Sequence, residues 1–369
     1  MTAARLRVLI VDDSALMREL LSRLLGSDPE IEVIGAAADP YAAREMIKRL
    51  TPDVITLDVE MPGMNGIAFL EKIMTLRPMP VVMISTLTQS GARATLTALQ
   101  LGAVDCVAKP SGSGRDIERQ REEIITKVKA AAVANVHRLT RQHQVSTRMT
   151  PSGPDRPVTL IAIGASTGGV EAVSHIIAPL PAEMPPIVIV QHMPPHFTRH
   201  FAERLDEQCA LKVKEAEDGE PLRPGTVYIA PGGRQFEVGR SGPRRVCVLG
   251  GEERVSGHCP SVDVLFRSVS RLAPADALGI LLTGMGRDGA AGLLEMRLAG
   301  ALCIGQDEAS SVVYGMPKAA FENGAASMQM SLETIPDYLT AHFSHSKKQQ
   351  DSNILLQADC DKMMVAPQH

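Results

Sequence analysis

The chain reads as two α/β domains in tandem, each built on a parallel sheet, and three observations predict this. From Arg7 onward, apolar runs of strand length alternate with helix-length amphipathic stretches, a pattern that implies parallel strands joined by right-handed crossovers. The alternation fades over 135–157, where Pro151, Gly153, Pro154 and Pro157 punctuate a polar stretch, and then resumes. Residues able to do chemistry fall where strands end, the edge at which open α/β sheets hold ligands. The expected division is a first domain over 1–134, a linker over 135–157, a second domain over 158–343 and a polar, disordered tail over 344–369.

Composition narrows the function classes. A chain of 369 residues with 44% hydrophobic content can bury large cores, and its net charge of −4 supplies no global basic field for nucleic acid. Trp is absent and Tyr numbers 4, so stacking platforms for bases are few. The early apolar run VLIV is cut by Asp12 and Asp13, too soon for a signal segment or a membrane span, and no later segment is long and apolar enough. Six cysteines without a CxxC pair fit reduced thiols and a cytoplasmic location.

In the first domain, RVLIV, IEVIGAA, DVITL, PVVMIS and DCVA are the expected strands, each followed by a helix. Asp12 and Asp13 end the first, Asp58 the third, Ser85 the fourth, and Lys109 follows the fifth. Three carboxylates gathered at one edge repel one another unless a cation joins them, and Mg²⁺ suits an all-oxygen site that meets a phosphoryl group. Asp58 is then placed to act as nucleophile toward a phosphodonor, with Lys109 neutralising charge and Ser85 bonding the product.

These residues resemble the receiver domain of response regulators, through VDDS at 11–14, LDVEMPGMNG at 57–66, MIST at 83–86 and AKP at 108–110. The resemblance implies a flavodoxin-like, five-stranded parallel sheet, phosphorylation of Asp58, and Mg²⁺ held by Asp13, Asp58 and the backbone carbonyl of Glu60. One position departs from the pattern: Cys106 stands three residues before Lys109, where receivers usually carry Tyr or Phe. The usual aromatic switch is therefore not expected here.

The linker carries Arg138, Arg141, Arg148 and Arg156, which suit a solvated connection or docking on an acidic surface.

The second domain opens with VTLIAIGASTGG at 158–169, a buried strand running into a tight turn with Ser166 at its apex. Gly164 to Gly168 spell GxSxG, which exposes a serine hydroxyl at a sheet's carboxyl edge, at the start of a helix whose free N–H groups can hold an oxyanion. A dinucleotide loop needs glycine where Ser166 stands, and a purely structural turn stays open on this motif alone. PPIVIVQHMPPHF then places His192 after another strand, and ALGILLTGMGRDG runs a strand over 278–283 into Asp288 at the start of a helix. Ser166, His192 and Asp288 thus share one edge, the set required for acyl transfer through an imidazole base oriented by a carboxylate. Their chain order differs from that of the α/β-hydrolases. Asp288 could also serve only to match a helix dipole. His192, His196 and His200 are spaced by four, as zinc ligands on a helix would be, but Pro194 and Pro195 oppose a continuous helix.

These segments resemble the chemotaxis protein-glutamate methylesterases, which join a receiver to an esterase of a doubly wound, mostly parallel α/β fold. The resemblance rests on GASTGG at 164–169, QHMPPHFT at 191–198, PSVDVLF at 260–266, LTGMGRDG at 282–289 and QDEASSVVYGMPKAA at 306–320. It implies that Ser166, His192 and Asp288 are catalytic, with Thr167 and Met285 beside the oxyanion. It also implies hydrolysis of glutamate γ-methyl esters on chemoreceptor signalling helices without a cofactor, with glutamine deamidation by the same chemistry. A chemotaxis histidine kinase is the implied phosphodonor, and no nucleic acid or membrane insertion is expected. Two alternatives belong to other classes: a phosphorylation-dependent binding module with a catalytically weak second domain, and a DNA-binding regulator, which the absence of a basic recognition helix after Pro157 opposes.

Overall fold

A computed structural model describes residues 4–86, 88–112, 114–136, 158–273 and 275–343. Most of the expected linker and the whole of the expected tail lie outside these residues.

The first domain has strands β1 (Leu6–Val11), β2 (Ile31–Ala37), β3 (Val54–Asp58), β4 (Val81–Ser85) and β5 (Asp105–Ala108), all parallel, in the order β2-β1-β3-β4-β5. The apolar runs of β1, β3, β4 and β5 are buried on both faces, which is why they read as continuous hydrophobic stretches, whereas the edge strand β2 buries only its two ends. Helices α1 (Ala15–Gly26), α2 (Pro40–Leu50), α3 (Gly66–Leu76), α4 (Gln89–Gln100) and α5 (Gly114–Ala132) cover the sheet. Polar residues after the strands start them: Ser14 accepts from Met17 N–H, Asp39 from Tyr41 and Ala42 N–H, and Asn65 from Ala68 N–H. Such caps are worth about 1 kcal/mol each and hold the strand ends where the acidic residues sit.

The second domain has a seven-stranded parallel sheet. Around β6 (Leu160–Ala165) lie β7 (Ile187–Gln191), β9 (Thr226–Ile229) and β8 (Lys212–Glu215) on one side. On the other lie β12 (Ala277–Leu281), β13 (Leu302–Gln306) and β14 (Met328–Met330). The opening strand starts two residues later than expected, and β12 runs over 277–281 where 278–283 was expected. Leu282 and Thr283 lie beyond the strand yet still bond β6, Leu282 N–H donating to Gly164 O at 2.8 Å and Thr283 O accepting from Ser166 N–H at 3.0 Å. An antiparallel hairpin of β10 (Phe236–Ser241) and β11 (Arg244–Leu249) was not anticipated.

Register levels the functional edge. Ala165 pairs with Gln191, and Gly164 with Leu281, so Ser166, His192 and the loop after Leu282 emerge side by side. Helices α6 (Gly169–Ile177), α7 (Phe197–Asp206), α8 (Val262–Leu272), α9 (Ala290–Leu298) and α10 (Met316–Glu322) complete the layers, with a last helix over 335–343.

The domains are packed together. Helix α4 lies against α6 and α7, and one continuous set of buried apolar residues joins Leu96, Leu99 and Cys106 to Val170 and Phe201. Asn135 and Val136, expected to open the linker, are already docked: Asn135 N–H donates to Val312 O at 3.1 Å, and Val136 is buried. No described helix is long and apolar enough to cross a membrane.

Candidate active site

Ser166 leaves β6 in a turn held from three sides. Its N–H donates to Thr283 O at 3.0 Å, while its carbonyl accepts from Gly169 N–H at 2.7 Å and from Gln191 Nε2 at 2.9 Å. Gly168 has φ +76°, and a Cβ there would lie 2.6 Å from Val312 Cβ, so both backbone and space require glycine. Gly284 is likewise needed, since a Cβ would lie 2.7 Å from the Cβ of Ser166. The glycines of GASTGG and LTGMGRDG therefore let the two loops meet at the hydroxyl.

The structure brings Ser166, His192 and Asp288 into one line. His192 Nδ1 lies 3.1 Å from Ser166 Oγ, and Nε2 lies 2.9 Å from Asp288 Oδ2. An ionised carboxylate only accepts, so Nε2 carries the proton and Nδ1 presents its lone pair to the serine. Asp288 is buried, which would raise its pKa. The hydrogen bonds and charge at His192, with the Ser261 hydroxyl and Val262 N–H, hold it below the ordinary carboxylate range instead.

Asp288 was expected at the start of its own helix, but the helix end it serves is another. It precedes α9 by two residues, and it accepts from Val262 N–H at 2.7 Å and Asp263 N–H at 3.1 Å, at the beginning of α8. The Ser261 hydroxyl donates to Oδ1 at 2.7 Å. These partners come from PSVDVLF, a motif without an assigned role at the level of sequence. Gln191, to which the sequence assigned no role, holds the serine turn, and His258, which no pattern marked, stacks on the His192 ring.

Thr167 and Met285 line the same cleft as Ser166 and His192. The Thr167 hydroxyl has a partner from the other domain: it donates to Asp105 Oδ2 at 2.5 Å. Asp105 Oδ1 accepts from Lys127 Nζ at 3.0 Å, and Lys127 also donates to Cys106 O at 2.6 Å. Burial would lower the pKa of Lys127, yet Asp105 and Glu123 raise it, so it stays a cation. Ser166 is 9% exposed and His192 8%. A gap of only about 10 Å³ separates them from Asp105, Cys106 and Leu99 of the first domain. Beside it lies a larger cleft of about 550 Å³, bounded by Met285 and His258 on one side and by Arg119, Glu123 and Lys127 of α5 on the other.

A second cluster occupies the carboxyl edge of the first sheet. Asp12, Asp13 and Asp58 bring oxygens within 4.8 Å of one another, the one group of metal-ligating side chains found among the described residues. Lys109 Nζ lies 2.8 Å from Asp58 Oδ2 and 3.1 Å from Asp12 Oδ2. Burial pushes the Asp58 pKa up, and Asp12 adds to this, against the hydrogen bond from Lys109. Glu60 N–H donates to Asp58 Oδ1 at 3.3 Å, and Ser85 is buried at the end of β4. His196 and His200 do not join His192: His196 precedes α7 with φ +72°, and His200 bonds Glu203 at 3.0 Å.

Comparison with known proteins covers both domains. A family model described as CheB methylesterase matches residues 161–339, and one described as response regulator receiver domain matches residues 8–121. Over 338 residues the chain is 56% identical to the protein-glutamate methylesterase/protein-glutamine glutaminase 1 of Caulobacter vibrioides, across 90% of this chain and 96% of that one. It is 49% identical over 352 residues to the protein-glutamate methylesterase/protein-glutamine glutaminase of Chromohalobacter salexigens, across 95% and 99%. Among solved structures, the CheB methylesterase catalytic domain of Thermotoga maritima is 37% identical, with a TM-score of 0.49, over 50% of this chain and 98% of that one.

Proposed function

The chain belongs to the CheB methylesterase family, in the form that carries a response regulator receiver domain, and from that premise we propose how its residues divide the work. It is a phosphorylation-regulated esterase that hydrolyses glutamate γ-methyl esters on chemoreceptor signalling helices and releases methanol. The observation that carries this reading is the hydrogen-bonded line Ser166–His192–Asp288 at the carboxyl edge of a parallel sheet.

Ser166 Oγ attacks the ester carbonyl as His192 Nδ1 takes its proton, forming a tetrahedral oxyanion beside the backbone N–H groups of Thr167 and Met285. Collapse breaks the bond to the methoxy group, which leaves as methanol with the proton from His192. Water, deprotonated by the same ring, then hydrolyses the glutamyl-serine ester. Asp288 orients the imidazole and balances its charge while it is protonated. With an amide in place of the ester, ammonia leaves, which is glutamine deamidation.

The receiver, taken as 1–134, controls access to the esterase of 158–343 across the linker of 135–157. Asp58 accepts the phosphoryl group from a histidine kinase, while Lys109 and Ser85 stand ready to bond it. The clustered carboxylates of Asp12, Asp13 and Asp58 suit a hard cation: Asp13, Asp58 and the Glu60 carbonyl would hold Mg²⁺, which would supply charge neutralisation for phosphoryl oxygens. The burial of Ser166 beneath Asp105, Cys106 and Leu99 supports an inhibited resting state. Five described cysteines are free, which supports a reducing, cytoplasmic setting.

The test is methanol release from methylated receptor membranes, with and without a small-molecule phosphodonor. Release that rises with the phosphodonor is expected, and no release in either condition overturns the reading.

A further inference from the structure

The His192 ring has a second neighbour that takes no part in the proton path. The ring of His258 lies parallel to it, with centroids 3.8 Å apart and 10° between the planes. The loop that carries His258 is tied down by a buried amide: Gln235 Nε2 donates to Glu253 O at 2.7 Å and to His258 O at 3.1 Å. The same amide accepts from Ser261 N–H at 2.8 Å, and Ser261 in turn bonds Asp288. One short segment therefore grips the triad twice, at the carboxylate and at the face of the imidazole.

We propose that His258 is a positioning residue for ester hydrolysis, a flat wall that keeps the His192 ring edge-on between Ser166 and Asp288. An imidazole held only by hydrogen bonds at its two nitrogens can still rock about the line joining them. A parallel ring at van der Waals distance removes that motion, because any tilt costs contact over the whole face. The wall also suits the charged stage of the reaction. When His192 holds the serine proton, an uncharged aromatic face favours the cation, whereas a second imidazolium would repel it. Burial and the neighbouring His192 push His258 down to about 3, so it remains neutral while the enzyme works.

This inference rests on the esterase reading, and the experiment separates the two. Full-length wild-type protein and the variants His258→Phe, His258→Leu and His258→Ala are compared by steady-state methanol release from methylated receptor membranes with a phosphodonor present. Thermal unfolding checks each fold. Phe can stack without a nitrogen, whereas Leu fills similar space without a flat face. Phe should keep kcat within about threefold of wild type. Leu and Ala should lose between about tenfold and a hundredfold in kcat, with KM unchanged, because only the transition-state geometry suffers. Equal rates for Leu and Phe overturn the proposal, as does a loss in Leu that falls on KM alone. If Ala fails to fold, the comparison of Leu with Phe still decides. A wild-type chain that releases no methanol overturns the underlying reading instead.

Discussion

Asp105 of the receiver accepts a hydrogen bond from the hydroxyl of Thr167 at 2.5 Å, one residue from the proposed nucleophile. Asp105 opens β5, and Lys109, which pairs with Asp58, follows that strand's end. At about 3.3 Å per residue, the four residues from Asp105 to Lys109 span roughly 13 Å, so a single strand carries both the contact on the esterase and the lysine that pairs with the proposed phosphorylation site. A shift of β5 or its neighbours on phosphorylation can therefore be felt at Thr167 without a long relay.

Replacing Asp105 by Asn should raise methanol release by the unphosphorylated protein and shrink the stimulation a phosphodonor brings. A hydrogen bond to a charged group is worth about 1.5–3 kcal/mol, so closing should weaken by up to about a hundredfold. Lys127 keeps its bond to Cys106 O and has Glu123 as the remaining carboxylate at 3.8 Å, and thermal unfolding checks that the receiver fold survives the loss of its Asp105 partner. Basal release at the wild-type level would mean that the contact does not hold the closed state.

Cys106→Phe should leave phosphate labelling of Asp58 intact, since Cys106 is not among the acidic group. The gap between its neighbours and Ser166 is about 10 Å³, too small for a phenyl ring. Overpacking there should push the domains apart and raise unphosphorylated esterase activity. Loss of labelling would place Cys106 in the acceptor site after all.

Ser166→Ala should reduce turnover to at most about one percent with the fold intact, and His192→Ala should match it. The double variant should be no slower than either single one, because the two act as one unit. Additive losses measured by methanol release would show that the residues act in separate steps.

Asp58→Asn should abolish labelling by a phosphodonor, and chelation of Mg²⁺ should abolish it in the wild type. Labelling that persists in the variant would point to another acceptor.

A pH dependence of stability follows from His258. Its pKa falls from 6.5 to about 3 on folding, under burial and the charges of His192, Lys127 and Arg254, against Asp288. A base depressed in the folded state leaves the unfolded chain to bind the proton first. The contribution is therefore fully present above 6.5 and declines as pH falls toward about 3. The melting temperature should drop less between about pH 7.5 and about pH 5 in His258→Phe than in the wild type. Parallel declines would show that His258 is not held neutral.

Much of this protein could be read from the order of its residues. Strands buried on both faces make unbroken apolar runs, and helices begin at Ser14, Asp39 and Asn65 because short polar side chains satisfy free N–H groups locally. Both signals are local, so the alternation of elements needed no tertiary information. The placing of Ser166 and His192 one step beyond paired strand ends follows from the same logic, since parallel register brings successive strand ends to one edge.

Only the tertiary structure decided what surrounds those groups. Asp288 takes its N–H partners from α8, 26 residues earlier in the chain, and His258 reaches the face of His192 from a loop with no periodic pattern. The contact of Asp105 with Thr167 spans 62 residues and two domains. A hydrogen bond or a stacked ring depends on distance in space, and distant segments leave no spacing rule in the sequence when each is positioned by a separate core. Hence the chemistry was legible as residue types at strand ends, whereas its orientation and its restraint depended on how the two sheets and their loops pack.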